Sequence, residues 1–162
     1  MFTPIIGTLG YVLSADRSQV LLVYRTRDGD EHQGKWNGLG GKLEADEDIY
    51  SSLCRELREE AGIEVTAARL RGTVSWPGFG ADGQNWFGFI FLIDAYTGTI
   101  PERNEDGPLV WHDIDALADL PMWEGDRHWL PLLFGDGPVF HGVMPYVDGR
   151  PVSWSCTTPG GQ

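Results

Sequence analysis

The sequence predicts a layered α/β domain on three observations: paired strand-like runs separated by turn signals, one well-capped amphipathic helix between the pairs, and many large aromatic side chains. The first runs, Ile5–Leu13 and Val20–Tyr24, flank the polar turn Ser14-Ala15-Asp16-Arg17-Ser18. The helix is expected from about Ile49 to Ala61. Asp48 suits the N-cap, Gly62 sits where a C-terminal glycine belongs, and Ile49, Leu53, Leu57 and Ala61 recur at i, i+4 steps. A second strand pair, about Val65–Trp76 and Trp86–Ala95, is joined by the glycine-rich stretch 77–83. A shorter helix toward Phe134 follows, and Asp148-Gly149 between Pro145-Tyr146-Val147 and Pro151-Val152 reads as a two-residue hairpin turn. Residues 1–156 are expected to form one domain, with 157–162 a flexible tail that has nothing to bury.

Composition narrows the partners. Seven Trp, seven Phe and five Tyr supply a core, while 12 Lys plus Arg against 24 Asp plus Glu leave a formal charge of −12. That balance argues against a nucleic-acid polymer or an anionic membrane as partner, since a polyanion is repelled without a basic patch. A small phosphorylated substrate remains open, provided cations stand between the two anions. No run of 18 uncharged apolar residues is present, and Met1–Gly10 lacks the pattern of a signal peptide. Cys54 and Cys156 make no disulfide framework, so the expectation is a cytoplasmic protein, monomeric or a homodimer.

The chemistry concentrates around the helix. At roughly 100° per residue, Glu56, Glu59 and Glu60 fall within an arc of about 100° beside the apolar stripe. An acidic helix face is usually just solvated. Here, however, the glycine-dense turn Trp36-Asn37-Gly38-Leu39-Gly40-Gly41-Lys42 precedes the helix. So many glycines are needed where backbone approaches something closely. Backbone carbonyls beside clustered carboxylates form the oxygen-donor set that Mg²⁺ or Mn²⁺ prefers.

Gly41, Glu47 and the run Arg55-Glu56-Leu57-Arg58-Glu59-Glu60-Ala61-Gly62-Ile63 match the Nudix box, G-x5-E-x7-R-E-U-x-E-E-x-G-U. Its seven fixed residues would coincide by chance on the order of once in 10⁸ starts. The chain thus resembles the Nudix hydrolases, which implies an α/β/α sandwich around a mixed sheet with a loop–helix–loop motif, and hydrolysis of a nucleoside diphosphate linked to another group. The resemblance implies that Glu56, Glu59 and Glu60, with the backbone carbonyl of Gly40 or Gly41, hold Mg²⁺ (or Mn²⁺). It also implies that Glu47 and Arg55 form a structural salt bridge.

Further motifs resemble the MutT-like enzymes, most closely the oxidised purine nucleoside triphosphatases: Trp36–Lys42, then Met122-Trp123, Asp126 and Trp129-Leu130-Pro131-Leu132-Leu133, then Phe140-His141-Gly142. The substrate implied is 8-oxo-dGTP or 8-oxo-GTP, split into monophosphate and pyrophosphate. Thr8, Arg25, Asn37, Lys42, Trp123 and Asp126 are then the substrate-binding candidates. Asn37 offers both donors and an acceptor to a purine edge, or is simply a turn residue before Gly38. Trp123 is a stacking surface or plain core. Asp126 accepts from or, protonated, donates to the base, or else caps the short helix. Arg25 and Lys42 are placed to neutralise phosphate.

Two departures bear on specificity. The family's pair of adjacent aspartates is Gly125-Asp126 here, and a family aromatic is replaced by polar sequence around Glu31 and His32, with Phe79, Trp86 and Phe87 as candidates for another aromatic wall. Before Trp111, either Glu105 or Asp106 is expected to reach the metals. A carboxylate, Glu59, Glu56 or one of that pair, would take the proton of the attacking water. Two other readings stand beside this one: a broader hydrolase of ordinary nucleoside triphosphates or dinucleoside polyphosphates, and a nucleotide-sensing module without chemistry.

Overall fold

The computed structural model of the protein describes residues 1–30 and 32–160, so Glu31 and the last two tail positions lie outside the described residues. In chain order the elements are β1 (Ile5–Val12), β2 (Gln19–Tyr24), β3 (Trp36–Asn37), β4 (Leu39–Lys42), α1 (Ile49–Ala61), β5 (Glu64–Trp76), β6 (Trp86–Thr97), β7 (Arg103–Asn104) and β8 (Gly107–Asp113). They are followed by α2 (Asp126–Leu133), β9 (Phe140–Val143), β10 (Tyr146–Val147), β11 (Arg150–Pro151) and β12 (Ser155–Thr157). Short 3₁₀ segments occupy Ala81–Gly83, within the expected loop, and Ile114–Asp119.

A six-stranded mixed sheet runs β12-β9-β5-β6-β1-β4, with β1 parallel to β6 and β5 parallel to β9. A four-stranded antiparallel sheet runs β3-β2-β8-β7. The central strands β1, β2 and β6 are buried on both faces over much of their length, and the two-residue period sorts their side chains into two cores. Tyr11, Leu13, Val20, Leu22, Ile90 and Leu92 pack with Trp129, Leu130 and Leu133 of α2. The alternate residues Val12, Leu21, Val23, Phe91 and Ile93 pack with Leu53, Leu57 and Ala61 of α1. A helix therefore covers each face, as the predicted sandwich requires.

Helix α1 spans the expected residues. The Asp48 carboxylate accepts the Ser51 N–H at 2.8 Å, and Gly62, at φ 66°, turns the chain out in the left-handed conformation. Helix α2 differs from expectation at its start: Gly125 precedes it and Asp126 is its first residue, so Asp126 does not cap it. The last carbonyls of α2 are held instead by the buried Arg71, which donates to Leu133 O (3.0 Å), Leu132 O (3.2 Å) and, just beyond, Gly137 O (2.9 Å). The Asp148-Gly149 turn joins β10 to β11 with both residues at positive φ. Thr157, expected to open the tail, still pairs with His141 in β12. Among the described residues, no helix is long and apolar enough to cross a membrane.

Candidate active site

The β4 strand brings the glycine turn to α1. Gly41 pairs with Thr8 and Gly40 with Leu9 across β1 and β4. Gly40 takes φ 156°, and a Cβ there would collide with the Thr8 carbonyl; a Cβ on Gly41 would overlap the Glu56 carboxylate. The glycines therefore let a bare backbone lie against the acidic edge of the helix.

Arg55 organises that edge. Its Nε and Nη2 grip the two oxygens of Glu47 at 2.9 and 2.6 Å, and Nη2 also donates to Lys42 O at 3.1 Å. Glu47 Oε1 in turn accepts the Glu44 N–H, so the loop between β4 and α1 is fastened to the helix. The Arg55 guanidinium holds Glu47 down to a pKa of about 2. Nη1 of Arg55 reaches Glu56 at 2.8 Å and Glu59 at 3.3 Å. Glu59 is the outer member, its side chain 58% exposed against 13% for Glu56.

Glu60 is the inner member. Its Oε2 accepts the Gly40 N–H at 2.9 Å, yet burial, reinforced by the charges of Glu56 and Asp106, pushes its pKa up to about 8. Burial also raises Glu56. Two inward carboxylates in one place, each reluctant to ionise, are what a dication would relieve, and an all-oxygen donor set suits a hard one. Among the described residues, no three acidic side chains already converge on one ligating point. Arg55 and Gly40 occupy the oxygens, so closing around an ion requires side-chain rotation.

Glu105 and Asp106, the two candidates before Trp111, are placed differently. Asn104 donates to Glu60 O (3.1 Å), and its side-chain oxygen accepts the N–H groups of Asp106 (2.9 Å) and Gly107 (3.2 Å). That turn faces Asp106 inward, its side chain 17% exposed, near enough for its charge to raise Glu60. Glu105 is 92% exposed and pairs with Arg27 at 3.4 Å, so it faces solvent rather than Glu60.

Beside the glycine turn opens a cavity of about 480 Å³. Thr8, Arg25, Asn37, Gly40, Gly41, Lys42, Trp123 and Asp126, all singled out from sequence, line it. The Thr8 hydroxyl is enclosed, with no hydrogen-bond partner among the described residues. Asn37 Nδ2 donates to Lys35 O at 3.2 Å, and Lys42 Nζ lies 5.6 Å from the Trp86 ring centre. Withdrawal from water pushes Asp126 up to about 7. Trp123 donates its indole N–H to His32 Nδ1 at 2.5 Å, while the Lys35 ammonium sits 4.2 Å over its ring. Burial and the nearby Arg25 charge push His32 down to about 4, leaving a neutral ring to accept that bond.

Arg25, expected to neutralise phosphate, lines the cavity already paired with carboxylates. Its Nε is bound to Asp30 at 2.8 Å and its Nη1 lies 3.6 Å from Asp106. Phe79 and Trp86 do form an aromatic wall, but Phe87 packs on Phe89 outside the cavity. Sequence reasoning missed Tyr11, Asp30 and Trp76 in the lining, and Asn104 behind it. Asn104, at the head of Asn-Glu-Asp-Gly, carried a readable turn signal. A Cβ on Gly125 would run into Met144 Sδ and the Tyr146 hydroxyl, so any side chain there requires both to shift.

Residues 5–133 match the family model described as the NUDIX domain. The oxidized purine nucleoside triphosphate hydrolase of Danio rerio is 36% identical over 133 residues, covering 82% of this chain and 81% of that protein. The CTP pyrophosphohydrolase of Escherichia coli is 48% identical over 115 residues, 71% of this chain and 79% of that one. Among solved structures, a MutT protein from Bacillus halodurans superposes with a TM-score of 0.80 at 29% identity, covering 94% of this chain and 97% of its own.

Proposed function

This chain belongs to the Nudix hydrolase family, and we propose that it is a diphosphatase that splits an oxidised purine nucleoside triphosphate, 8-oxo-dGTP or 8-oxo-GTP, into monophosphate and pyrophosphate. One observation carries the reading: a single cavity is lined at once by Asn37, Trp123 and Asp126 and by the Gly40-Gly41 backbone that abuts Glu56 and Glu60. A base held by the first group extends its phosphates toward the second. The similarity to the Danio rerio enzyme supports the same substrate class.

Nudix hydrolases work with divalent metal ions, and Mg²⁺ or Mn²⁺ held by Glu56, Glu59, Glu60 and Asp106 with a Gly40 or Gly41 carbonyl would offset phosphate charge and make bound water acidic. The chain's own contributions are distinct. Glu59, the most exposed of the three, is free to turn toward a water and take its proton. Lys42, at the end of β4, offsets charge on the phosphate tail. Trp123, Phe79 and Trp86 present flat faces that exclude water from the base, and stacking is worth roughly 1–3 kcal/mol. Asn37 and a protonatable Asp126 meet its edge with donors and acceptors. A nucleotide substrate and two free cysteines, Cys54 and Cys156, fit a cytoplasmic enzyme.

A second reading, a broader hydrolase that includes CTP, draws on the Escherichia coli relative. Steady-state kinetics with Mg²⁺ across unmodified and oxidised triphosphates and dinucleoside polyphosphates decide between them. The highest kcat/KM for 8-oxo-dGTP supports the first reading; a higher value for CTP or an unmodified dNTP overturns it.

A further inference from the structure

The two ends of the cavity are joined by a continuous series of polar contacts that the chemistry above does not use. Trp123 Nε1 donates to His32 Nδ1 at 2.5 Å, and the His32 backbone N–H donates to Asp30 Oδ1 at 3.0 Å. The other oxygen of Asp30 accepts from Arg25 Nε at 2.8 Å, and Arg25 Nη1 lies 3.6 Å from Asp106 Oδ2. Asp106 in turn presses its charge on Glu60. Every member is at least partly buried, so solvent and salt screen the series less than they screen surface pairs.

Resting on the reading that this cavity takes a nucleoside triphosphate, we propose that Asp30 is a positioning residue that couples the base-binding end of the cavity to its carboxylate end, by holding His32 and Arg25 on its two oxygens. A base stacked on Trp123 fixes the indole and with it His32. Asp30 passes that constraint to Arg25, which sets where Asp106 stands beside Glu60. A ligand without a suited base leaves the indole, and hence Arg25, less confined. Base identity is then felt in kcat as well as in KM, because Arg25 pairs with Asp106, beside Glu60, and not with the base.

The test is a mutant cycle with a spectroscopic readout. Trp123→Phe keeps an aromatic face and removes the N–H, Arg25→Lys keeps the charge and removes the fork, and Asp30→Asn keeps the shape and weakens the grip on Arg25. Trp123→Phe and Arg25→Lys are expected to be non-additive in kcat/KM by at least about fivefold, and the coupling should vanish in an Asp30→Asn background. Additivity within about twofold in the presence of Asp30 overturns the proposal. In ¹⁵N-indole spectra of the metal-free protein, the resonance that Trp123→Phe deletes should move in Arg25→Lys and in Asp30→Asn. It should stay put in Arg69→Lys, whose partner is the remote Asp94. An indole resonance indifferent to Arg25→Lys also overturns it. If 8-oxo-dGTP proves a poor substrate, the cycle is run with the best triphosphate of the panel, so the substrate assignment fails separately from the coupling.

Discussion

Glu60→Gln isolates the electrostatics of the inner carboxylate. Burial raises Glu60 from an ordinary 4.5 to about 8, which at about 1.36 kcal/mol per pH unit is a ceiling near 5 kcal/mol on its ionisation. A raised carboxyl pKa means that the folded state holds the proton more tightly than the unfolded chain does. Stability therefore falls as pH rises from 4.5 toward 8 and is level above. Other groups confound the lower part of that window. Asp126, raised to about 7, acts in the same direction, whereas His32, lowered to about 4, makes stability rise between 4 and 6.5. Glu47, held near 2, contributes a constant above its ordinary pKa. Between pH 6.5 and 8 Glu60 dominates, and the metal-free protein should lose about 2 kcal/mol, or roughly 4–8 °C in Tm. Glutamine still offers an oxygen to the Gly40 N–H but cannot ionise, so the variant should lose most of that slope. Urea or thermal unfolding in chelator at pH 6.5 and 8 measures both. A wild-type stability that is flat or rising over this interval, or an equal slope in Glu60→Gln, refutes the reasoning.

The remaining predictions address single contacts. Gly41→Ala should lower kcat by about 10²-fold or more by driving a methyl into the Glu56 carboxylate, seen in steady-state hydrolysis. Asp106→Asn should cost about 10–100-fold in kcat/KM and Glu105→Gln less than about threefold; equal losses contradict the inward placement of Asp106. Asp126→Asn should cost about 10–100-fold for 8-oxo-dGTP, and less for unmodified dGTP. Gly125→Asp should destabilise by about 2–4 kcal/mol in urea unfolding, because Met144 and Tyr146 already fill that space.

Much of this architecture was legible in the residues themselves. The helix from Ile49 to Ala61 declared its cap, its apolar stripe and its left-handed exit, each a local signal. Glu47 and Arg55 lie eight residues apart and meet as the box implied. What stayed hidden depended on contacts distant in sequence. The pairing of Arg25 with Asp106 needs β2 beside β8, and the His32 bond to Trp123 spans 91 positions. The orientation of Glu105 against Asp106 turned on Asn104, whose amide ties the β7–β8 turn to the Glu60 carbonyl. Gly125, readable only as a missing aspartate, lies against Met144 and Tyr146, which would have to move to admit one.

Electron paramagnetic resonance of Mn²⁺, titrated into wild type and into Glu56→Gln and Glu60→Gln, asks most directly whether the acidic edge of α1 holds a dication. Wild type should bind the ion, more tightly at pH 8 than at pH 6.5, with each variant weaker by about 10-fold or more. Equal binding by all three proteins, or none by the wild type even with nucleotide present, would contradict the account.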